Sequence, residues 1–443
     1  MNSTMLADDA PPARIDRFGN RHAPGVPYAR GSIITSTADD FTKVKRAWRV
    51  IERRGIDDVF LFSGLEQHVP LSSNELPIAS DELAPALYYD KLERKALEHL
   101  GGTPTAHDFA VFNRLTAATL ATVLELVRPG EVVIGVSASR SHPSAMRAAA
   151  YAGATFIDVV GADAFEAELI ARRNVRLVVL TRLAVTYEIM PWEEIARVIA
   201  LARKHGALVY CDDAGGARVG PAVFGQPKTL ELGVDIGATG LDKYGTIGPR
   251  LGLLAGKAEL VARIRARAYE LGVEARPFLY PAVYRTLEQY TPERVRALVA
   301  CTKTVADALR PILKNHLHET PVTAQILGED VLEVAMQRAE LEKAPIVPYE
   351  ATAALNMLLL EDYGIITVHF LAIPPGTAAL LLKFIPAETL KRFGGAEKFA
   401  LAVDASLTKL ATLLREPEQL RRLLLNADLP APSAAPLSAN SCN

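Results

Sequence analysis

Short, nearly unbroken apolar runs recur through the middle of the chain, at Glu131–Val136, Thr155–Val159, Arg176–Leu180, Ala207–Cys211, Asp235–Ala238 and Leu251–Ala255. A strand that is apolar without alternation is covered on both faces, as in a parallel sheet with helices above and below. The stretches between the runs have helical periodicity. Pro191–His205 is an example: Pro191 opens the helix, Glu193 and Glu194 suit its positive end, and Lys204 and His205 suit its negative end. Ile195, Val198, Ile199 and Ala202 fall on one stripe, and Gly206 can close the last turn. This alternation of strand and helix predicts an α/β domain over residues 101–275.

Beyond it the pattern changes. A long helix is predicted at Pro292–Leu313, strands at Ile365–Leu371 and Leu380–Ile385, and a final helix at Lys398–Leu414. These define a smaller α+β domain over residues 32–100 and 276–426, and a cleft between two such domains is a usual ligand site. Residues 1–31 are polar and contain proline, which predicts a mobile arm or a segment that packs on a partner subunit. Residues 427–443 are rich in Pro, Ala and Ser, which predicts a disordered tail.

Composition narrows the function classes. The 443 residues are 49% hydrophobic, enough for a large core and two domains. A formal net charge of −2 offers no global field for nucleic acid or an acidic membrane. Cys211, Cys301 and Cys442 are far apart and odd in number, so neither a disulfide framework nor a thiolate zinc site is expected. No stretch has the length and apolarity of a bilayer span, and the first residues lack a signal-peptide core. The expectation is a soluble, cytoplasmic protein that meets a small-molecule substrate, with no nucleic-acid, membrane or metal partner. His316-x-His318 has no further ligands near it in sequence and reads as surface, and neither a Walker loop nor HExxH is present. Lys43, Lys45, Arg46, Arg49, Arg53 and Arg54 read as the solvated face of a helix.

Chemistry concentrates where the strands end. Ala207–Cys211 runs into Asp212-Asp213-Ala214-Gly215-Gly216, and the next strand runs into Thr239-Gly240-Leu241-Asp242-Lys243-Tyr244-Gly245. A carboxylate at one strand end and a lysine at the next suit pyridoxal phosphate (PLP). The lysine holds the aldehyde as a Schiff base, and the carboxylate keeps the pyridine nitrogen protonated. Asp212 leaves an apolar strand, where an unpaired carboxylate is costly unless a cation meets it. Asp213 competes for the role, although the strand's direction favours Asp212; a plain turn or helix cap would also account for both. Lys243 lies in Gly- and Thr-rich turns between buried strands, where desolvation or a neighbouring cation lowers a lysine's pKa enough for it to act as nucleophile and base.

A phosphate dianion wants amides and hydroxyls at a helix N-terminus. Thr116 and Ala117, in Asn113-Arg114-Leu115-Thr116-Ala117-Ala118-Thr119, supply them, and an ordinary Thr-capped helix reads the same way. His142, in Ser139-Arg140-Ser141-His142-Pro143-Ser144, stands at the sheet's C-terminal edge, where it can stack on a flat ring or cap the following helix. Arg250, in Gly248-Pro249-Arg250-Leu251-Gly252, can pair with phosphate bidentately.

Together these residues resemble the fold-type I PLP enzymes, the aspartate aminotransferase superfamily, over roughly Tyr88 to Leu414. The resemblance implies an α/β fold with a mostly parallel, seven-stranded type of sheet, helices on both faces and a smaller α+β domain. It implies that Asp212 binds the pyridine nitrogen, Ala214 packs beneath the ring, His142 stacks on it and Lys243 carries the Schiff base. Thr116 with neighbouring amides would form the phosphate cup, and Thr239 and Arg250 would add to it. Both of these last two stand slightly out of the family's usual register, the Lys-to-Arg spacing being one shorter than in its aminotransferases. A homodimer or larger homo-oligomer is also implied.

Two subgroups are closer. Thr239–Lys243 followed by Gly248–Gly252 is similar to the Ser-Gly-Asp-Lys…Gly-Pro-Gln-Ala-Gly run of bacterial selenocysteine synthase and its relatives, which include lyases and aldolases. Pro348–Ala351, Asp362–Ile365 and Leu382–Pro386 resemble segments of tryptophanase and tyrosine phenol-lyase. The arginine that clamps the substrate carboxylate in those lyases falls on Leu382, while Lys383 should point to the opposite face of its strand. Either another residue, such as Arg276 or Arg285, takes the carboxylate, or the substrate is held differently.

The expected function is a PLP-dependent enzyme acting on an amino-acid-like amine through Lys243, with Asp212 stabilising the carbanion and Tyr187 or Tyr244 as a second acid/base group. A lyase, by elimination or Cα–Cβ cleavage, is the leading expectation. An aminotransferase would use the same cofactor residues but needs an anchor for two carboxylate substrates. A PLP-binding regulatory protein without turnover is the alternative from another class, and the complete Asp212–Lys243 pair weighs against it. The slightly acidic charge and the lack of a nucleic-acid arm disfavour a tRNA-dependent selenium transferase.

Overall fold

The computed structural model describes residues 14–23, 26–367 and 378–425. The chain divides into two compact units, Leu65–Ala300 and Met1–Gly64 with Cys301–Asn443.

The unit Leu65–Ala300 is built on a seven-stranded sheet. Side by side, its strands are His107–Phe112, Gly252–Lys257, Ile236–Gly240, Leu208–Asp212, Val175–Thr181, Val132–Ser137 and Thr155–Val160. Gly252–Lys257 runs antiparallel to both its neighbours, and every other pair is parallel. Each predicted apolar run is a strand here. His107–Phe112, absent from the expectation, adds an edge strand whose polar opening, His107-Asp108, conceals it in the sequence. Alternate residues enter different cores. Val209 and Cys211 join Ile195, Val198 and Ile199 on one face, while Tyr210 joins Ala118, Ala145 and Ile264 on the other. Helices therefore cover both faces, as unbroken apolar strands require. The parallel strands all end at one edge, so the loops carrying His142, Asp212 and Lys243 gather there.

In the other unit, the helix Pro348–Tyr363 is buried on every side from Pro348 to Leu360. A helix apolar all round belongs at the centre of a core. Around it lie a three-stranded antiparallel sheet, in the order Ala379–Lys383, Thr323–Leu327, His318–Glu319, and a parallel pair of Phe60–Leu61 with Ile365–Ile366. Helices Thr37–Arg54, Gly328–Arg338 and Ala396–Leu413 complete the unit.

The boundaries differ from the expected 101–275, 32–100 and 276–426. Leu92, Ala96, Leu97 and Leu100 of the helix Leu83–Leu100 are buried in the sheet unit's core, as are Val283 and Leu287 of the helix Tyr280–Glu288. Residues 65–100 and 276–300 therefore go with the sheet. The described part of residues 1–31 is not a detached arm: Tyr28 and Ala29 are buried in the smaller unit's core. The tail at 427–443 and residues 368–371 of the predicted strand Ile365–Leu371 lie outside the described residues. The basic helix is not uniformly solvated either. Lys43 is buried with its Nζ 2.8 Å from Tyr349 Oη, and Arg46 is buried against Glu361. Among the described residues no helix is long and apolar enough to cross a membrane.

Candidate active site

An open cleft at the C-terminal edge of the sheet brings together Thr116, His142, Asp212, Ala214, Lys243 and Arg250. Arg114, Ser144 and Asp242 also line it, and the sequence had assigned none of them a role.

The two adjacent carboxylates are distinguished by their partners. Asp213 is fully buried against Arg182, whose Nε donates to Oδ1 at 3.2 Å and whose Nη2 donates to Oδ2. Thr229 Oγ1 donates to the same Oδ2 at 2.7 Å. Asp212, ending its strand on the opposite face, is 3% exposed, and its Oδ1 finds no hydrogen-bond partner among the described residues. Burial pushes its carboxyl up to about 6, Lys243 works against that rise, and Asp213 adds to it. A buried acceptor left unsatisfied in this way wants a donor.

Lys243 stands half-buried in a tight turn, where its carbonyl accepts from Thr246 Oγ1 at 2.8 Å. Tyr244 follows it in the left-handed region, with φ +49°. The buried Tyr244 ring rests on Gly215, where a Cβ would come within 2.1 Å of it. Tyr187, itself at φ +67°, places its hydroxyl 3.0 Å from that of Tyr244. Arg218 ties the two strand ends together. Fully buried, it donates from Nη2 to Ala214 O at 3.0 Å and to Gly240 O at 2.8 Å. His99 Nε2 lies 3.3 Å from its Nη1, and burial, with the Arg218 charge, holds that imidazole well below its ordinary value.

At the other end of the cleft the helix Leu115–Leu126 begins at Arg114 with no side-chain cap. The amides of Ala117 and Ala118 are already spent on Arg114 O, at 3.0 and 3.2 Å, which leaves the first turn around Leu115 and Thr116 to face the cleft. An uncapped helix start is an anion site. Partial burial, then repulsion from Arg250, lowers the Arg114 pKa, so two guanidinium groups stand near this helix start. Arg250 Nε is 3.8 Å from Asp242 Oδ2.

His142 caps a helix and also lines the cleft. Its Nδ1 caps the helix Pro143–Tyr151, accepting from the Ser144 amide at 3.2 Å, and its ring lines the cleft. The ring is open to solvent on the cleft side. The protein packed around its other sides, then Lys243, Arg147 and Arg114, hold its pKa down to about 4.

Other expected site residues stand elsewhere. Ala117 turns toward the core, and Thr239 is fully buried, donating from Oγ1 to Ala214 O at 3.2 Å. Tyr187 touches Tyr244 and does not line the cleft. Arg276 is engaged by Asp81, and Arg285 by Glu75 and Glu288.

These residues fit PLP. The orphaned Asp212 Oδ1 suits a protonated pyridine nitrogen, Lys243 an aldehyde, His142 and Ala214 the ring, and the uncapped helix start a phosphate.

No family model matches the chain. A UPF0425 pyridoxal phosphate-dependent protein of Methanothermobacter thermautotrophicus is 31% identical over 398 residues, which is 87% of this chain and 99% of the relative. One from Methanosphaera stadtmanae is 29% identical over 326 residues, 73% of this chain and 82% of the relative. Among solved structures, a serine palmitoyltransferase of Sphingomonas wittichii superposes with TM-score 0.56 at 17% identity, covering 80% of this chain and 88% of its own. An alanine–glyoxylate aminotransferase of Nostoc gives TM-score 0.54 at 15% identity over 79% of this chain and 95% of its own. At that identity the two structures speak for the fold alone, which is that of fold-type I PLP enzymes.

Proposed function

Because the chain belongs to the family of UPF0425 pyridoxal phosphate-dependent proteins, we propose that it is a PLP-dependent lyase acting on an amino-acid-like amine through Lys243. The observation that carries this reading is Asp212 Oδ1, buried without a partner in the same cleft as Lys243. When bound, PLP supplies an aldehyde that condenses with amines and a ring that takes up the electron pair left when a bond at Cα breaks.

The chain's own groups do the rest. Lys243 would hold the cofactor, and its Nζ would move the proton at substrate Cα. Asp212 Oδ1 keeps a proton on the ring nitrogen. His142 and Ala214 would pack against the ring, and the Leu115–Thr116 turn with Arg250 would receive the phosphate. Tyr187 holds Tyr244 next to the lysine turn. The lyase reading draws support from the likeness around Leu382 and from Arg276 and Arg285, which acidic neighbours already engage. An aminotransferase needs a cation for the carboxylates of two substrates in turn.

The purified protein should be yellow, and borohydride should fix the cofactor to the peptide containing Lys243. A colourless protein that takes up no PLP contradicts the whole reading. With a panel of amino acids, ammonia or aldehyde released without a keto-acid acceptor supports the lyase, and strict dependence on an acceptor makes it an aminotransferase. The same reading expects a cytoplasmic homodimer or larger homo-oligomer, which sedimentation equilibrium and cell fractionation check.

A further inference from the structure

We propose that His316, Asp330 and Glu333 form a site for a divalent transition-metal ion such as Zn2+, and that the guanidinium of Arg17 fills this site when no ion is bound. The pair His316-x-His318 has no ligands near it in sequence, but the fold supplies them. His318–Glu319 pairs with Thr323–Leu327, and the chain then enters the helix Gly328–Arg338. Asp330 and Glu333, one turn apart on that helix, share a face. Ligand atoms of His316, Asp330 and Glu333 all lie within 4.8 Å of one another.

The separation of His316 and Asp330 suits a metal. His316 Nδ1 is 3.3 Å from Asp330 Oδ1. A tetrahedron with metal–ligand bonds of about 2.1 Å has edges of about 3.4 Å. His318 Nε2 lies 2.7 Å from Asp330 Oδ2, so it fixes the carboxylate's second oxygen as outer-shell partners of metal ligands do. An imidazole with two carboxylates favours Zn2+ and its transition-metal neighbours over Mg2+ or Ca2+, and leaves a position open for water.

Arg17 is the independent observation. Its Nη1 stands 3.1 Å from Asp330 Oδ1 and 2.5 Å from Glu333 Oε2, in contact with two of the three ligands. Its Nε is also 3.1 Å from Glu329 Oε2. The Asp330 side chain is only 4% exposed, and a cationic side chain now meets it. Arg17 is itself 45% exposed and can leave to water without rearrangement of the core.

The test is equilibrium dialysis of the full-length, PLP-loaded chain against Zn2+, with metal counted per chain. One ion per chain is expected for the wild type. Arg17→Ala should bind at least tenfold more tightly, because the competing cation is gone. His316→Ala and Glu333→Gln should each weaken binding at least tenfold; both spare the buried Asp330, and a thermal melt confirms their fold. Less than one ion per chain in both wild type and Arg17→Ala overturns the proposal. So does wild-type affinity in His316→Ala and Glu333→Gln. The PLP absorbance should be the same in every variant, so this inference and the PLP reading fail separately.

Discussion

Asp212 and Asp213 are consecutive, yet Arg182 grips both oxygens of Asp213 while Oδ1 of Asp212 is buried with no partner among the described residues. Alternation along the strand produces the difference. Asp213 falls on the side of Cys211, where Arg182 and Thr229 wait, and Asp212 falls on the side of Tyr210, facing the cleft. Asp213 pushes its neighbour's pKa up further, so one aspartate serves the fold and the other is left available to a ligand.

The first prediction follows from Asp212's raised pKa. In the cofactor-free protein the folded state holds this proton more tightly than the unfolded chain does, so its contribution to stability falls as pH rises from about 4 to about 6 and stays low above that. The gap between 3.8 and about 6 corresponds to about 3 kcal/mol. Asp212→Asn should therefore stabilise the cofactor-free protein at pH 8 by up to about that amount. The advantage should shrink as pH falls through about 4 and vanish by about pH 3, where wild-type Asp212 is protonated in both states. Urea unfolding of both proteins at several pH values reads this directly, and a pH-independent difference would contradict it. The same variant should lose PLP-dependent turnover.

Asp213→Asn should behave in the opposite way. It leaves the Arg182 guanidinium buried with no counter-charge, and removing one partner of a buried pair costs about 3–5 kcal/mol. Its melting temperature should fall at every pH from 5 to 8, with or without cofactor. A melting curve that matches the wild type would mean that the pair is not closed in solution.

Arg218 links the loop after Asp212 to the loop before Lys243 through two backbone carbonyls. Arg218→Met keeps most of the volume and removes both bonds, each worth about 1.5–3 kcal/mol for a charged donor. The loops that carry the carboxylate and the lysine should then lose register. PLP affinity is expected to fall at least about tenfold, with partial rescue by Arg218→Lys. Unchanged PLP affinity in Arg218→Met, measured by absorbance titration, would show that the clamp is dispensable.

Much of the fold and site is legible in the sequence because both depend on local patterns. Unbroken apolar runs mark the buried strands, and Asp212, His142 and Lys243 stand out because they follow those runs at the sheet's C-terminal edge, where ligands of open α/β folds bind. Arg218 and Arg182 are silent for the converse reason. Arg218 is partnered by backbone carbonyls and Arg182 by a residue distant in sequence, and no spacing announces either. Arg114 escapes notice because a cation is unfavourable at a helix start unless an anion will join it. The domain boundary was misplaced because the apolar stripes of Leu83–Leu100 and Tyr280–Glu288 do not say which core they enter.

Gly252 sets the position of the helix start proposed to receive the phosphate. A Cβ at this residue would lie 2.8 Å from both the N and Cα of Leu115 and 2.9 Å from Arg114 C. These are backbone atoms that cannot swing aside, so Gly252→Ala must push the start of the helix Leu115–Leu126 away from the sheet. That displaces the uncapped turn around Leu115 and Thr116, while Asp212 and Lys243 sit on other strand ends and keep their places. The damage should therefore be selective for the phosphate. PLP affinity is expected to fall at least about tenfold, or about 1.4 kcal/mol, while pyridoxal, which lacks the phosphate, should bind nearly as it does to the wild type. Titrating both ligands into both proteins gives the ratio of affinities. Equal losses for PLP and pyridoxal would mean that the helix start does not hold the phosphate.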